Sequence, residues 1–216
     1  MIYFESFTYQ EALALKFGVS GMGMPVLYTH LYYIDGLLID TGQRKARAKI
    51  LAETQKLKID QLFITHHHED HTGNIQAIRS AHDCPVYASQ RCCDMMKNPP
   101  GLSLAQRITW GNRKSFQDLI VQEDTLSTPH FTFQIIPIPG HAPDMVALYE
   151  PERRWLFSAD LYLNSNIDYF IRTESTSDQI ASIRNLLTLD FEVLFCSHKP
   201  QLKDGKAQLQ KKLHFL

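Results

Sequence analysis

The chain has 216 residues, 44% of them hydrophobic, and 22 Lys and Arg against 23 Asp and Glu give a formal net charge of −1. This length supports one substantial core and is short for two domains, so residues 1–216 are read as a single domain. The charge gives no global drive toward nucleic acid or an anionic membrane. The absence of a basic start followed by an apolar stretch, and of any apolar run near the roughly 20 residues of a bilayer span, predicts a cytoplasmic protein outside any membrane.

In chain order, strand patterns fall near 2–7, 26–34 and 37–40, with Asp35-Gly36 between the last two as the strongest hairpin signal. A helix follows at 43–56, whose Arg44, Lys45, Arg47 and Lys49 read as a solvated face rather than a binding patch. Gln61-Leu62-Phe63-Ile64 suits a buried strand, and Thr72-Gly73-Asn74 opens a helix to about 81 with Ile75 and Ile78 on one face. Pro85-Val86-Tyr87-Ala88 is a short strand. Segment 91–118, punctuated by Asn98-Pro99-Pro100-Gly101, reads as a helical excursion and a turn inserted between strands. Short strands return from about 130 to 161, and Ser177 to Leu189 reads as a helix with Ile180, Ile183, Leu186 and Leu187 on one face. Periodicity by itself gives a mixed α/β domain. Cys84, Cys92, Cys93 and Cys196 form no Cys-x-x-Cys pair and suit reduced thiols in a reducing compartment.

The densest chemistry lies in Thr65-His66-His67-His68-Glu69-Asp70-His71. On extended backbone, alternate side chains project together, so His66 and His68 aim at one point while His67 faces away. Asp70 and His71 fall on the connection into the next helix, where they can diverge toward a second metal. A His-rich run by itself is often a solvated loop. Here further donors follow strand-like runs: His141 after 133–140, Asp160 after 155–159 and His198 after 193–197. Strand ends delivering polar groups suggest a site along one rim of a sheet. Asp40, ending an earlier strand, is placed to accept the second ring N–H of a ligating imidazole or to cap its own turn. His30, His82, His130 and His214 have no donor partner at useful spacing.

With its His-x-His-x-Asp-His signature, Leu38-Ile39-Asp40-Thr41-Gly42 and Pro139-Gly140-His141, the chain resembles the metallo-β-lactamase fold superfamily over nearly its whole length. The resemblance implies a four-layered αββα sandwich. It also implies one metal held by His66, His68 and His141, a second by Asp70, His71 and His198, and Asp160 bridging both. Ala159 stands where the family commonly has Gly. In such a fold, segment 91–118 is placed to act as a lid, with Trp110 and Arg113 either touching substrate or simply packing the insertion.

Three neutral imidazoles favour Zn, Fe or Mn over Mg or Ca, and the carboxylates Asp70 and Asp160 broaden that choice, so two divalent transition metals are expected, Zn first and Fe or Mn next. The expected function is hydrolysis of an ester, thioester or phosphodiester of a small molecule by a metal-bridging hydroxide, with Asp70 handling the proton. The signature is similar to that of glyoxalase II, a thioester hydrolase, and to small endoribonuclease-like relatives. Glyoxalase II continues after its last histidine into a helical glutathione-binding region, whereas only 18 residues follow His198 here; some other relatives carry a further helical tail, and Lys203 to Leu216 is read as the beginning of that tail. One alternative is a persulfide dioxygenase-like enzyme with a single iron on His66, His141 and Asp160. A non-catalytic binding protein ranks below it, because all seven expected ligands are present.

Overall fold

The computed structural model describes residues 1–20, 28–164 and 174–216, so the start of the strand expected from 26 lies outside the described residues. Contacts divide the chain into two compact units, Met1–Gln122 and Glu123–Leu216.

The first unit is built on a seven-stranded sheet in sequence order. Its strands are β1 (Ile2–Tyr9), β2 (Ala12–Val19), β3 (Tyr28–Ile34), β4 (Leu37–Ile39), β5 (Gln61–Ile64), β6 (Val86–Ala88) and β7 (Ile120–Val121). The first four pair antiparallel, and β4 through β7 pair parallel. Asp35 and Gly36 both take positive φ, 48° and 87°, which gives the β3–β4 hairpin the turn its sequence predicts. The strand β2 was not expected from the sequence. Every residue in it is buried or half-buried, so the polar and apolar alternation that marks a one-sided strand is missing.

Among the described residues, α1 (Arg47–Thr54), α2 (Glu69–Thr72), α3 (Ile75–His82), α4 (Gln90–Lys97) and α5 (Leu104–Thr109) join these strands. Ile50 of α1, Ile75 and Ile78 of α3, and Cys92 and Met96 of α4 pack with Leu38, Leu62, Ile64 and Val86 in one apolar cluster. The parallel pairing sets the functional geometry. With Ile39 beside Phe63, the residues leaving β4 and β5 emerge together at the same end of the sheet.

The second unit holds a five-stranded sheet of β8 (Thr125–Ser127), β9 (Thr132–Pro137), β10 (Val146–Glu150), β11 (Trp155–Ala159) and β12 (Val193–Cys196), in the order β12-β11-β10-β9-β8. Among the described strands, β11 and β12 pair parallel and the others antiparallel. Helices α6 (Thr176–Leu186) and α7 (Gly205–Phe215) pack Ile183, Leu186 and Leu209 against Leu156, Leu161 and Leu194. Here too the parallel pair delivers two polar groups to one end, Asp160 after β11 and His198 after β12.

Candidate metal centre

In the first unit, the histidine motif begins where β5 stops. Asp40 follows β4 in a left-handed conformation, φ 63°, which Asp tolerates better than most residues. Its amide donates to the Phe63 carbonyl at 2.9 Å, and its carboxylate reaches across to the motif. Oδ1 accepts the Thr65 amide at 2.9 Å, while Oδ2 accepts the Thr65 hydroxyl and His71 Nδ1, both at 2.8 Å. The Thr65 hydroxyl has one proton and gives it to Asp40, so it can only accept from His66 Nδ1 at 3.0 Å. One buried carboxylate therefore fixes two imidazoles with the proton on Nδ1, directly for His71 and through Thr65 for His66. In both rings the lone pair is left on Nε2.

The donors then group in pairs. The His66 and His68 rings lie 4.7 Å apart, with ligand atoms within 4.8 Å of each other. His71 Nε2 is 3.6 Å from Asp70 Oδ2, which accepts the Thr29 hydroxyl at 3.2 Å. The connection carrying Asp70 and His71 is itself a helical turn, α2, so the helical region opens before the Thr72 expected from the sequence. Close approach holds this turn in place. A methyl group on Gly73 would sit 2.6 Å from the Arg44 nitrogen and 2.8 Å from the Gly42 oxygen. The Asn74 side-chain amide donates to the carbonyls of Thr41, Gly42 and Gln43. Arg47 is not simply solvated, because its guanidinium donates to Asn74 Oδ1 and the Gly73 carbonyl, both at 3.0 Å. Burial and the adjacent Asp70 raise the Glu69 carboxyl above the ordinary range.

Segment 91–118 contributes α4 and α5, as its composition predicts. Arg113 ties it to the motif by donating to the carbonyls of His67 and Pro100. Trp110 ends α5 half-buried, and its carbonyl accepts the Lys45 amide at 3.2 Å.

In the second unit, Gly140 precedes His141 at φ 143°, with no space for a side chain because a methyl group would lie 2.6 Å from the Gln179 nitrogen. His141 Nδ1 donates to Glu174 at 2.6 Å, and its Nε2 lies 3.3 Å from Asp160 Oδ2. The same Asp160 oxygen is 3.1 Å from His198 Nε2. A single carboxylate oxygen thus stands between two imidazole nitrogens. Burial depresses His141, but hydrogen bonds to Asp160 and Glu174 and their negative charge outweigh it and push the ring up to about 9. Asp160 is aimed by an irregular strand end, with a register shift after Phe157 and Ala159 left-handed at φ 45°. For a residue with a Cβ this conformation costs about 1–2 kcal/mol, a physical reason for glycine at that position.

All seven predicted ligands and Asp40 thus lie in these two local clusters, four ligands in the first unit and three in the second. The sequence reading missed Thr65 and Glu174. Thr65 has a visible signal, since it directly precedes the first histidine of the motif. Glu174 lies 33 residues from its partner in a stretch without pattern. All four cysteines are buried thiols. Cys196 Sγ accepts the Lys199 amide at 3.2 Å, and burial pushes its thiol up to about 12.

A family model described as the metallo-beta-lactamase superfamily matches residues 25–198. The chain belongs to that superfamily. A metallo-beta-lactamase from Pontibacter korlensis is similar over 99% of this chain and 98% of its own, with a TM-score of 0.76 and 19% identity, which shows the fold. TTHA1623, solved in a di-iron-bound form, is 27% identical and aligns over 87% of this chain and 96% of its own with a TM-score of 0.67. A hydroxyacylglutathione hydrolase from Bdellovibrio bacteriovorus is 27% identical over 146 residues, which cover 67% of this chain and 51% of that protein. The chain spans about half the length of the curated hydroxyacylglutathione hydrolases it matches. Among the described residues, no helix is long and apolar enough to cross a membrane.

Proposed function

We propose that the chain is a metal-dependent hydrolase in which His66, His68 and His141 hold one divalent metal, Asp70, His71 and His198 hold a second, and Asp160 is shared. The observation that carries this reading is the single Asp160 oxygen between His141 Nε2 and His198 Nε2, with the far side of the His141 ring occupied by Glu174. The donor set fits a transition metal: imidazoles with their protons on Nδ1, together with carboxylates, suit Zn, Fe or Mn. Zinc is the first choice. The family match runs from 25 to 198 across both compact units, which supports treating residues 1–216 as one catalytic domain.

Two such metals, when bound, would acidify a shared water and polarise the substrate's carbonyl or phosphoryl oxygen. The chain's own groups do the rest. Asp40, Thr65 and Glu174 orient the ligating rings, and Asp70 accepts the nucleophile's proton and returns it to the leaving group. The substrate is a small-molecule ester, thioester or phosphodiester. A thioester ranks first because curated relatives near 27% identity are hydroxyacylglutathione hydrolases. Buried cysteines kept as thiols suit a cytoplasmic location.

Protein purified without added metal should contain two equivalents of metal and show no sulfur-dependent oxygen uptake. One equivalent of iron with oxygen consumption on a persulfide would replace the hydrolase by a dioxygenase. Segment 91–118 is proposed as the lid, since Arg113 fastens it to the His67 backbone. Trp110→Ala should therefore raise KM about tenfold, roughly 1.4 kcal/mol of lost binding, with both metals retained. Unchanged KM would remove Trp110 from the substrate path.

A further inference from the structure

The last helix carries a charge where a core residue belongs. On α7, Gly205, Leu209 and Lys212 form the buried face at the three- and four-residue spacing of one helical side. The first two positions pack as expected. The Gly205 amide donates to the Glu192 carbonyl at 2.8 Å, and Leu209 lies within the apolar cluster of the second unit. The third is a lysine only 2% exposed, a rare place for an ammonium.

Its Nζ donates to the carbonyl of Leu161, the residue that follows Asp160. Three contacts thus bracket the turn that presents the carboxylate. The Leu161 amide donates to the Ser158 carbonyl at 3.0 Å, the Ser197 amide donates to the Ala159 carbonyl at 3.0 Å, and Lys212 Nζ donates to the Leu161 carbonyl. The turn needs holding, because Ala159 occupies a left-handed conformation unfavourable to a side chain. Burial pushes the Lys212 ammonium down to about 8, while the negative charge of Glu174 and Asp160 favours keeping its proton. A methionine of similar length would fill the same space without the desolvation cost. Ordinary packing therefore gives no reason for a charge at this position.

We propose that Lys212 is a positioning residue for Asp160, holding the turn that aims the carboxylate through its bond to the Leu161 carbonyl. The inference rests on the reading of Asp160 as the shared metal ligand. It makes α7 part of the metal centre's support.

The test compares zinc affinity, measured by chelator competition, and metal-free thermal unfolding in wild type, Lys212→Met, Lys212→Arg and Asp160→Asn. Lys212→Met should lose at least about tenfold in zinc affinity, the lower end for removing a group that orients a ligand. Its metal-free form should unfold no lower than wild type, and Lys212→Arg should recover most of the affinity. A purely structural lysine would give the opposite pattern, a less stable metal-free protein with wild-type affinity, and would overturn the proposal. Loss in Asp160→Asn with none in Lys212→Met would overturn the proposal alone. Wild-type affinity in both would mean that the metal assignment itself has failed. Should Lys212→Met not fold, the wild-type protein decides through the Lys212 side-chain nitrogen resonance, assigned by its absence from Lys212→Arg. That signal should move on zinc loading, and a stationary signal would overturn the proposal.

Discussion

Asp70→Asn should lower hydrolysis of a thioester or phosphodiester probe by at least about 10²-fold, the lower end of what positioned acid–base assistance supplies. The substitution removes a negative ligand and the proton-handling carboxylate together. It leaves an oxygen that can still accept the Thr29 hydroxyl, now 3.2 Å from Oδ2, so the fold should survive. Metal content should fall from two equivalents toward one, because His66, His68 and His141 are untouched. His198→Ala should do the same to the second metal by another route, since its Nε2 stands 3.1 Å from Asp160. A single-iron dioxygenase resting on His66, His141 and Asp160 would tolerate His198→Ala. Hydrolysis retained in both variants, with metal measured in each, would refute the dinuclear mechanism.

What the sequence discloses and what it hides divide along a physical line. Donors at strand ends are legible because an apolar run marks the strand and the first polar groups after it mark its mouth, as with His141, Asp160 and His198. The hairpin at Asp35-Gly36 is legible because its turn needs positive φ at both residues, and few sequences supply that. The groups that orient the ligands are mostly hidden. Glu174 sits in no pattern, and its partner is distant in sequence. Lys212 directly follows Lys211, so nothing in the sequence sets it apart from a solvated charge, and only the packing shows that it is buried. Arg47 misleads in the same way, as a surface cation whose role lies in the carbonyls it grips. Asp40 is the exception, since a carboxylate closing the strand next to the motif strand has few other places to reach.

Asp40→Asn should weaken zinc binding by between 10- and 100-fold for each imidazole it releases, and the structure gives it two. An amide has one accepting oxygen where the carboxylate has two. If that oxygen faces the Thr65 amide, the NH₂ meets His71 Nδ1 and the Thr65 hydroxyl, and both must reverse their polarity. His71 would then carry its proton on Nε2, the atom required for metal. If the oxygen faces His71 instead, the Thr65 amide loses its acceptor in a buried position, at about 1–3 kcal/mol. Thr65→Val separates the two effects: it breaks only the relay to His66 and should therefore weaken the first metal while sparing the second. Metal titration of both variants, with histidine nitrogen shifts to read the tautomers, checks the order. Wild-type zinc affinity in Asp40→Asn with His71 still protonated on Nδ1 would show that the ring is oriented by something other than this carboxylate.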